Sequence, residues 1–155
     1  MLTPAAEELL TTARRAVLAT LRPDGRARLL PLAYALAPAD PGRPERVLYS
    51  ALDEKPKRVA DPRRLARVSD ILADARVTLL VDRWSEDWHE LAWLRLDGRA
   101  ALLGPASADA TEHAEAIRLL RLRYEQYAGQ ALEQRPILRL TVERATYWSA
   151  RDAGG

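Results

Sequence analysis

Arg22-Pro23-Asp24-Gly25 and Asp97-Gly98 limit the folds open to this chain. The first separates an apolar run, Ala16 to Leu21, from Arg26 to Leu36, and the second separates Leu91 to Leu96 from Arg99 to Gly104. Asp-Gly between short apolar runs is a strong local hairpin signal, because both residue types tolerate the left-handed backbone that a tight turn requires. A chain that returns on itself in this way builds antiparallel sheet, whereas parallel strands need a crossover of helical length. Regular strand–helix alternation is missing, so a doubly wound parallel sheet is a poor match.

The remaining segments fit the same picture. Arg46-Val47-Leu48-Tyr49-Ser50 reads as a third strand, and Arg76 to Asp82, rich in β-branched and apolar residues, as the clearest strand of all. Ile137 to Val142 and Ala145 to Trp148 are two last strands, or one strand bent around Glu143-Arg144. Pro31 interrupts the second strand; lacking a donor, it belongs at an edge, a bulge or an opening. Thr3-Pro4 caps a short lid helix ending near Arg14, and Asp61-Pro62 opens a helix to about Leu72. Asp109 with Glu112 matches a reciprocal cap for a helix to about Tyr127, with Ile117, Leu120 and Tyr124 on one stripe. Six or seven hairpin-linked strands with outlying helices are best accommodated by a small antiparallel barrel, which leaves no apolar strand edge exposed.

The 155 residues imply one domain, residues 1–150, with a frayed end at 151–155. No run approaches the roughly 18–20 apolar residues of a membrane span, and the start lacks the pattern of a signal peptide, so a cytoplasmic protein without membrane contact is expected. Cysteine is absent, which removes thiol nucleophiles and cysteine metal sites. The two histidines, His89 and His113, lie in no metal-ligand spacing, and no metal site is expected. A net charge of +2, from 24 Lys and Arg against 22 Asp and Glu, is too small to indicate a nucleic-acid partner.

Two stretches carry chemistry. After the third strand, Tyr49-Ser50 runs into Asp53-Glu54-Lys55-Pro56-Lys57-Arg58. A strand end that opens into a helix start exposes free backbone N–H groups, and Ser50, Lys55, Lys57 and Arg58 beside it suit a phosphate. The same residues also suit a solvated connection in which Asp53 and Glu54 pair with the lysines. The second stretch, Trp84 to Glu90 with Trp93 and Arg95 beyond it, places tryptophans among charges. Trp84, Trp88 and Trp93 suit a flat wall against a conjugated ring, with His89 and Arg95 for its polar groups; capping the barrel or filling a subunit interface are the alternatives. His89 is a weak candidate proton donor, and His113 reads as a polar helix residue. No serine elbow and no glycine-rich nucleotide loop is present, so a cofactor that carries the reactive atom itself fits better than nucleophilic catalysis.

These pieces resemble the FMN-binding split-barrel superfamily of flavin and deazaflavin oxidoreductases, the pyridoxamine 5'-phosphate oxidase-like proteins. The likeness is greatest to the actinobacterial group of probable F420-dependent enzymes of the PPOX class. It is carried by Ala16 to Leu36 with Pro31-Leu32, by Tyr49-Ser50 leading to Asp53-Glu54-Lys55-Pro56-Lys57, and by Ala75 to Asp82. Glu86-Asp87-Trp88 followed by Leu91, Trp93, Arg95 and Gly98-Arg99-Ala100 completes it.

The resemblance implies a mainly-β split barrel of Greek-key type, six- or seven-stranded, with flanking helices. It further implies a homodimer with cofactor sites in the groove between subunits. The phosphate would be held by Ser50, Lys55, Lys57 and Arg58, and the ring would lie along Pro31, Leu32 and Ala33, with Trp88 and Trp93 among the wall residues. The implied activity is F420-dependent hydride transfer to or from a planar conjugated small molecule, with no catalytic residue named. An FMN-binding, pyridoxamine 5'-phosphate oxidase-like flavoprotein and a non-catalytic cofactor-binding protein are the alternatives. Relatives of the group often carry an aromatic or histidine pair where this chain has Arg83-Trp84, which alters the ring-side wall.

Overall fold

The computed structural model describes residues 2–52 and 65–152. Its strands are β1 (Ala16–Leu21), β2 (Ala27–Leu32), β3 (Ala35–Leu36), β4 (Val47–Ala51), β5 (Arg76–Arg83), β6 (Ala92–Leu103) and β7 (Ile137–Ser149). They form a single sheet in the order β2-β1-β5-β6-β7-β4-β3, with every neighbouring pair antiparallel. The two outermost strands, β2 and β3, are joined by Ala33 and Tyr34 alone. A flat sheet with strands about 4.8 Å apart would hold them roughly 29 Å from each other, whereas the chain from Leu32 to Ala35 reaches about 11 Å at most. The sheet therefore curls into an open half-barrel, the split β-barrel expected, and the helices flank it.

Side-chain alternation fills the inside of the curl. Leu18, Leu48, Leu79, Val81, Leu94, Leu96 and Leu140 form one buried cluster with Leu9 and Leu10 of α1 (Pro4–Thr12). Val47 and Tyr49, on the opposite face of β4, join a second cluster with Ala116, Ile117 and Leu120 of α3 (Ala110–Arg123). Every residue of β4 is buried because the barrel covers one face and α3 the other. Each leucine so enclosed contributes about 1.5–3 kcal/mol.

The first helix is as expected: Thr3 Oγ1 accepts from the Ala6 amide at 3.3 Å, and Pro4 opens the helix. Gly25 turns β1 into β2 with φ +80°, and Pro31 lies on the edge strand β2 opposite Val17. The last segment is one strand rather than two.

Three local expectations are corrected. Asp97-Gly98 makes no hairpin, since β6 runs unbroken from Ala92 to Leu103. There the β6–β7 register shifts: Asp97 faces Arg144 and Gly98 faces Val142, leaving Glu143 as the extra residue of a bulge. Glycine is needed because a Cβ at residue 98 would lie 2.0 Å from the Thr141 carbonyl oxygen. The helix expected from Pro62 is α2 (Ala66–Ala73), because Leu65 keeps an extended backbone; Asp61 and Pro62 lie outside the described residues. Finally, the Asp109 side chain makes no cap bond, and α3 stops at Arg123 because Tyr124 turns extended and gives its hydroxyl to other elements.

Candidate functional site

The curl brings the end of β4 against the link between the two edge strands. Ser50, 2% exposed, donates its hydroxyl to the Ala33 carbonyl at 2.8 Å. That bond joins Ser50 to Ala33, another residue that the resemblance assigned to the cofactor. The Ser50 proton is thereby committed to the backbone, and its hydroxyl ties the end of β4 to the link between β2 and β3. Lys55, Lys57 and Arg58 lie outside the described residues.

A network that sequence reasoning missed anchors the entrance to that basic segment. Arg135 donates to the Leu52 carbonyl at 3.0 Å, one residue before the described chain pauses. The Arg135 carbonyl in turn lies 2.6 Å from His113 Nε2, which must donate there because a carbonyl only accepts. His113 is a polar residue of α3, as read from the sequence, and at 3% exposed it is a buried support. Nearby, Glu112 accepts from Tyr49 Oη at 2.7 Å and from Arg139 Nε at 2.8 Å. These bonds divert Glu112 from the cap expected of it. Burial pushes the Glu112 carboxyl up, but the Tyr49 and Arg139 hydrogen bonds and the arginine charges outweigh it and hold the group below its ordinary value. Tyr49 is pushed well above the ordinary phenol range by burial and by its bond to that carboxylate.

The link itself is latched. Tyr34 is fully buried and donates to the Leu10 carbonyl at 2.6 Å, while Tyr124 Oη accepts from the Tyr34 amide at 3.1 Å. Arg14 stacks over the Tyr124 ring and Arg123 over the Tyr34 ring, at 4.6 and 4.9 Å. Burial pushes the Tyr34 phenol up to about 12, with the Arg123 charge pulling partly back.

On the outer face a groove of about 690 Å³ crosses β1, β5, β6 and β7. Val17, Leu80 and Leu91 line it with Trp84, Trp93 and Trp148, and Arg15, Arg83, Arg95 and Asp82 supply its charges. Trp93 and Trp148 are direct cross-strand partners whose rings stack 6.4 Å apart at 17°. Of the residues read from sequence as a wall for a conjugated ring and its polar groups, Trp84, Trp93 and Arg95 line this groove. Trp88 is 69% exposed on a short 3-10 turn, Trp88–Glu90, that also carries His89 and does not line the groove. Arg83, which with Trp84 replaces the pair that relatives carry at the ring-side wall, lines it too, whereas Trp148 and Arg15 were missed, although alternation along the last strand puts Thr146 and Trp148 on one face.

A family model described as Pyridoxamine 5'-phosphate oxidase matches residues 2–149. The chain belongs to that family. A comparison with curated proteins finds no match. Among solved structures, a conserved hypothetical protein of Mycobacterium tuberculosis is 17% identical, with TM-score 0.72 over 100% of this chain and 89% of its own. A FAD-binding protein of Mesorhizobium loti is 20% identical, with TM-score 0.62 over 95% and 92% of the two chains. The heme storage protein HutZ of Vibrio cholerae is 14% identical, with TM-score 0.65 over 96% and 94%. At these identities the likeness is one of fold. Membership of the pyridoxamine 5'-phosphate oxidase family makes this a flavin-type cofactor-binding fold, and the fold by itself does not choose the cofactor or the reaction.

Proposed function

We propose that the protein binds FMN in the cleft between the end of β4 and the Pro31-Leu32-Ala33 link, as a homodimer. It uses the cofactor to exchange a hydride with a planar conjugated molecule. The observation that carries the reading is the Ser50–Ala33 hydrogen bond. It fixes the strand end that leads to Lys55, Lys57 and Arg58 against an apolar link suited to one face of a ring. The fit is one of donor chemistry: apolar side chains for a ring on one side, and cations following Leu52 for a phosphate on the other.

FMN, when bound, supplies the hydride chemistry. The chain's own part is to hold. Arg135 fixes the Leu52 carbonyl and with it the start of the basic segment; Tyr34 and Tyr124 hold the link. A second copy packed on the exposed Leu29 edge would complete each site, and a dimer of twice the 17.3 kDa chain mass is expected in sedimentation.

F420 is the second reading. Three cations among four residues, Lys55, Lys57 and Arg58, exceed the need of one phosphate and suit a longer acidic tail. Titration of the purified protein with FMN and with oxidised and reduced F420, followed by hydride transfer to an acceptor panel, decides between them. FMN binding at one per chain with turnover supports the first reading, and F420 binding without FMN binding replaces it. Tight binding without turnover reduces the protein to a cofactor carrier. If neither cofactor binds, the proposal fails.

A further inference from the structure

The tryptophan groove has a charge that cofactor binding in the cleft leaves unused. No residue of β4 or of the β2–β3 link lines it. Three arginines, Arg15, Arg83 and Arg95, line it with one acid, Asp82. Arg95 is turned toward Asp97 at 3.5 Å, outside the groove. The Arg15 and Arg83 side chains make no hydrogen bond or ion pair among the described residues. The groove thus has an aromatic floor and two free planar forks at its rim.

The floor has the same selectivity. The Trp93 and Trp148 rings are nearly parallel but displaced, so neither covers the other's face fully, and Trp148 remains 38% exposed. Trp84, next in sequence to Arg83, is 69% exposed. Two exposed tryptophans and the half-buried Trp93 around a concavity of about 690 Å³ match the size and lining of a small-molecule site. Indole faces favour a flat ring, and a guanidinium fork favours a carboxylate, which accepts two parallel N–H bonds in its own plane.

We propose that this groove binds planar aromatic carboxylates, the ring against Trp93 and Trp148 and the carboxylate between Arg15 and Arg83. The assignment of such a molecule as the hydride partner rests on the reading of the function above; the binding site does not.

Calorimetric titration of the full-length protein tests it, with 2-naphthoate, its neutral isostere 2-naphthamide, and the non-planar anion 1-adamantanecarboxylate, each with and without FMN. The expected result is 2-naphthoate binding about tenfold or more tighter than either comparison compound, since a charge-assisted hydrogen bond and ring stacking are each removed in turn. In Arg83→Gln and Arg15→Gln the preference over the amide should shrink to about threefold or less, while the fluorescence emission and melting temperature of the protein stay unchanged. Equal binding of acid and amide, or an undiminished preference in both variants, overturns the proposal. So does binding of none of the three, as when a second copy of the chain already covers the groove. Naphthoate binding by a protein that takes up no FMN upholds the groove and refutes the cofactor reading; FMN uptake without naphthoate binding does the reverse.

Discussion

Asp70 offers the sharpest check on how the scaffold around the cleft is held. It lies on α2, the first helix among the described residues after β4, and is only 3% exposed. Its carboxylate accepts from Thr20 Oγ1 at 2.8 Å and from Arg28 Nε at 2.7 Å, and Thr20 and Arg28 are themselves a cross-strand pair of the β1–β2 hairpin. One buried charge therefore clamps the helix onto two strands. Replacing it by Asn keeps the shape and removes the charge. A charge-assisted hydrogen bond contributes about 1.5–3 kcal/mol; because the Arg28 side chain is 34% exposed and can return to water, the lower half of that range applies. Asp70→Asn should then lose about 1.5–2 kcal/mol, a fall of about 1 M in the urea midpoint. The pH dependence has a definite sign. Burial raises the Asp70 carboxyl, but the Arg28 and Thr20 hydrogen bonds and the Arg28 and Arg22 charges outweigh it, so the folded value lies below the ordinary 3.8. The unfolded chain binds that proton more readily, so the contribution is fully present above 3.8 and is lost as pH falls through the lower folded value. Urea melts of both proteins between pH 7 and pH 2.5 should show a constant gap that closes at the acid end. A variant as stable as the parent at pH 7, or a gap unchanged at pH 2.5, would refute the clamp.

Gly98→Ala forces a Cβ to within 2.0 Å of the Thr141 carbonyl oxygen, where backbone must move, and should cost about 3 kcal/mol or more in thermal or urea unfolding; Gly104→Ala, with open space around it, should cost far less. Spectrophotometric titration of the phenols should find Tyr34 and Tyr49 ionising above the ordinary 10, and stability should fall above pH 10 as the unfolded chain releases those protons first. Two phenols titrating normally in the folded protein would contradict the burial argument. Arg135→Ala frees the Leu52 carbonyl and should weaken FMN binding about three- to tenfold with little change in secondary structure; unchanged affinity would detach Arg135 from the site.

The strands were legible because their signals are local: the apolar run of β1 and the Asp24-Gly25 turn after it are written in adjacent residues, and the missing donor of Pro31 left few places for it, of which the edge is the one observed. The misreadings have one physical source, tertiary partners that outbid local chemistry. Gly98 looked like a turn glycine, but its role is to admit the Thr141 backbone, a neighbour more than forty residues away. Glu112 looked like a cap until Tyr49 and Arg139 claimed it, and the bond from His113 to the Arg135 carbonyl spans more than twenty residues. The candidate site depends on such partners as well. Ser50 and Ala33 are joined by a bond between β4 and the link, and the groove depends on the pairing of Trp93 with Trp148, which no local pattern announces.

FMN affinity measured side by side for the parent and Lys57→Ala addresses the cofactor assignment itself. If the basic segment after β4 holds the phosphate, the substitution should weaken binding by about 1.5–3 kcal/mol, roughly tenfold to more than a hundredfold. Identical affinities would mean that the phosphate is held elsewhere, and the cleft between β2 and β4 would lose its cofactor.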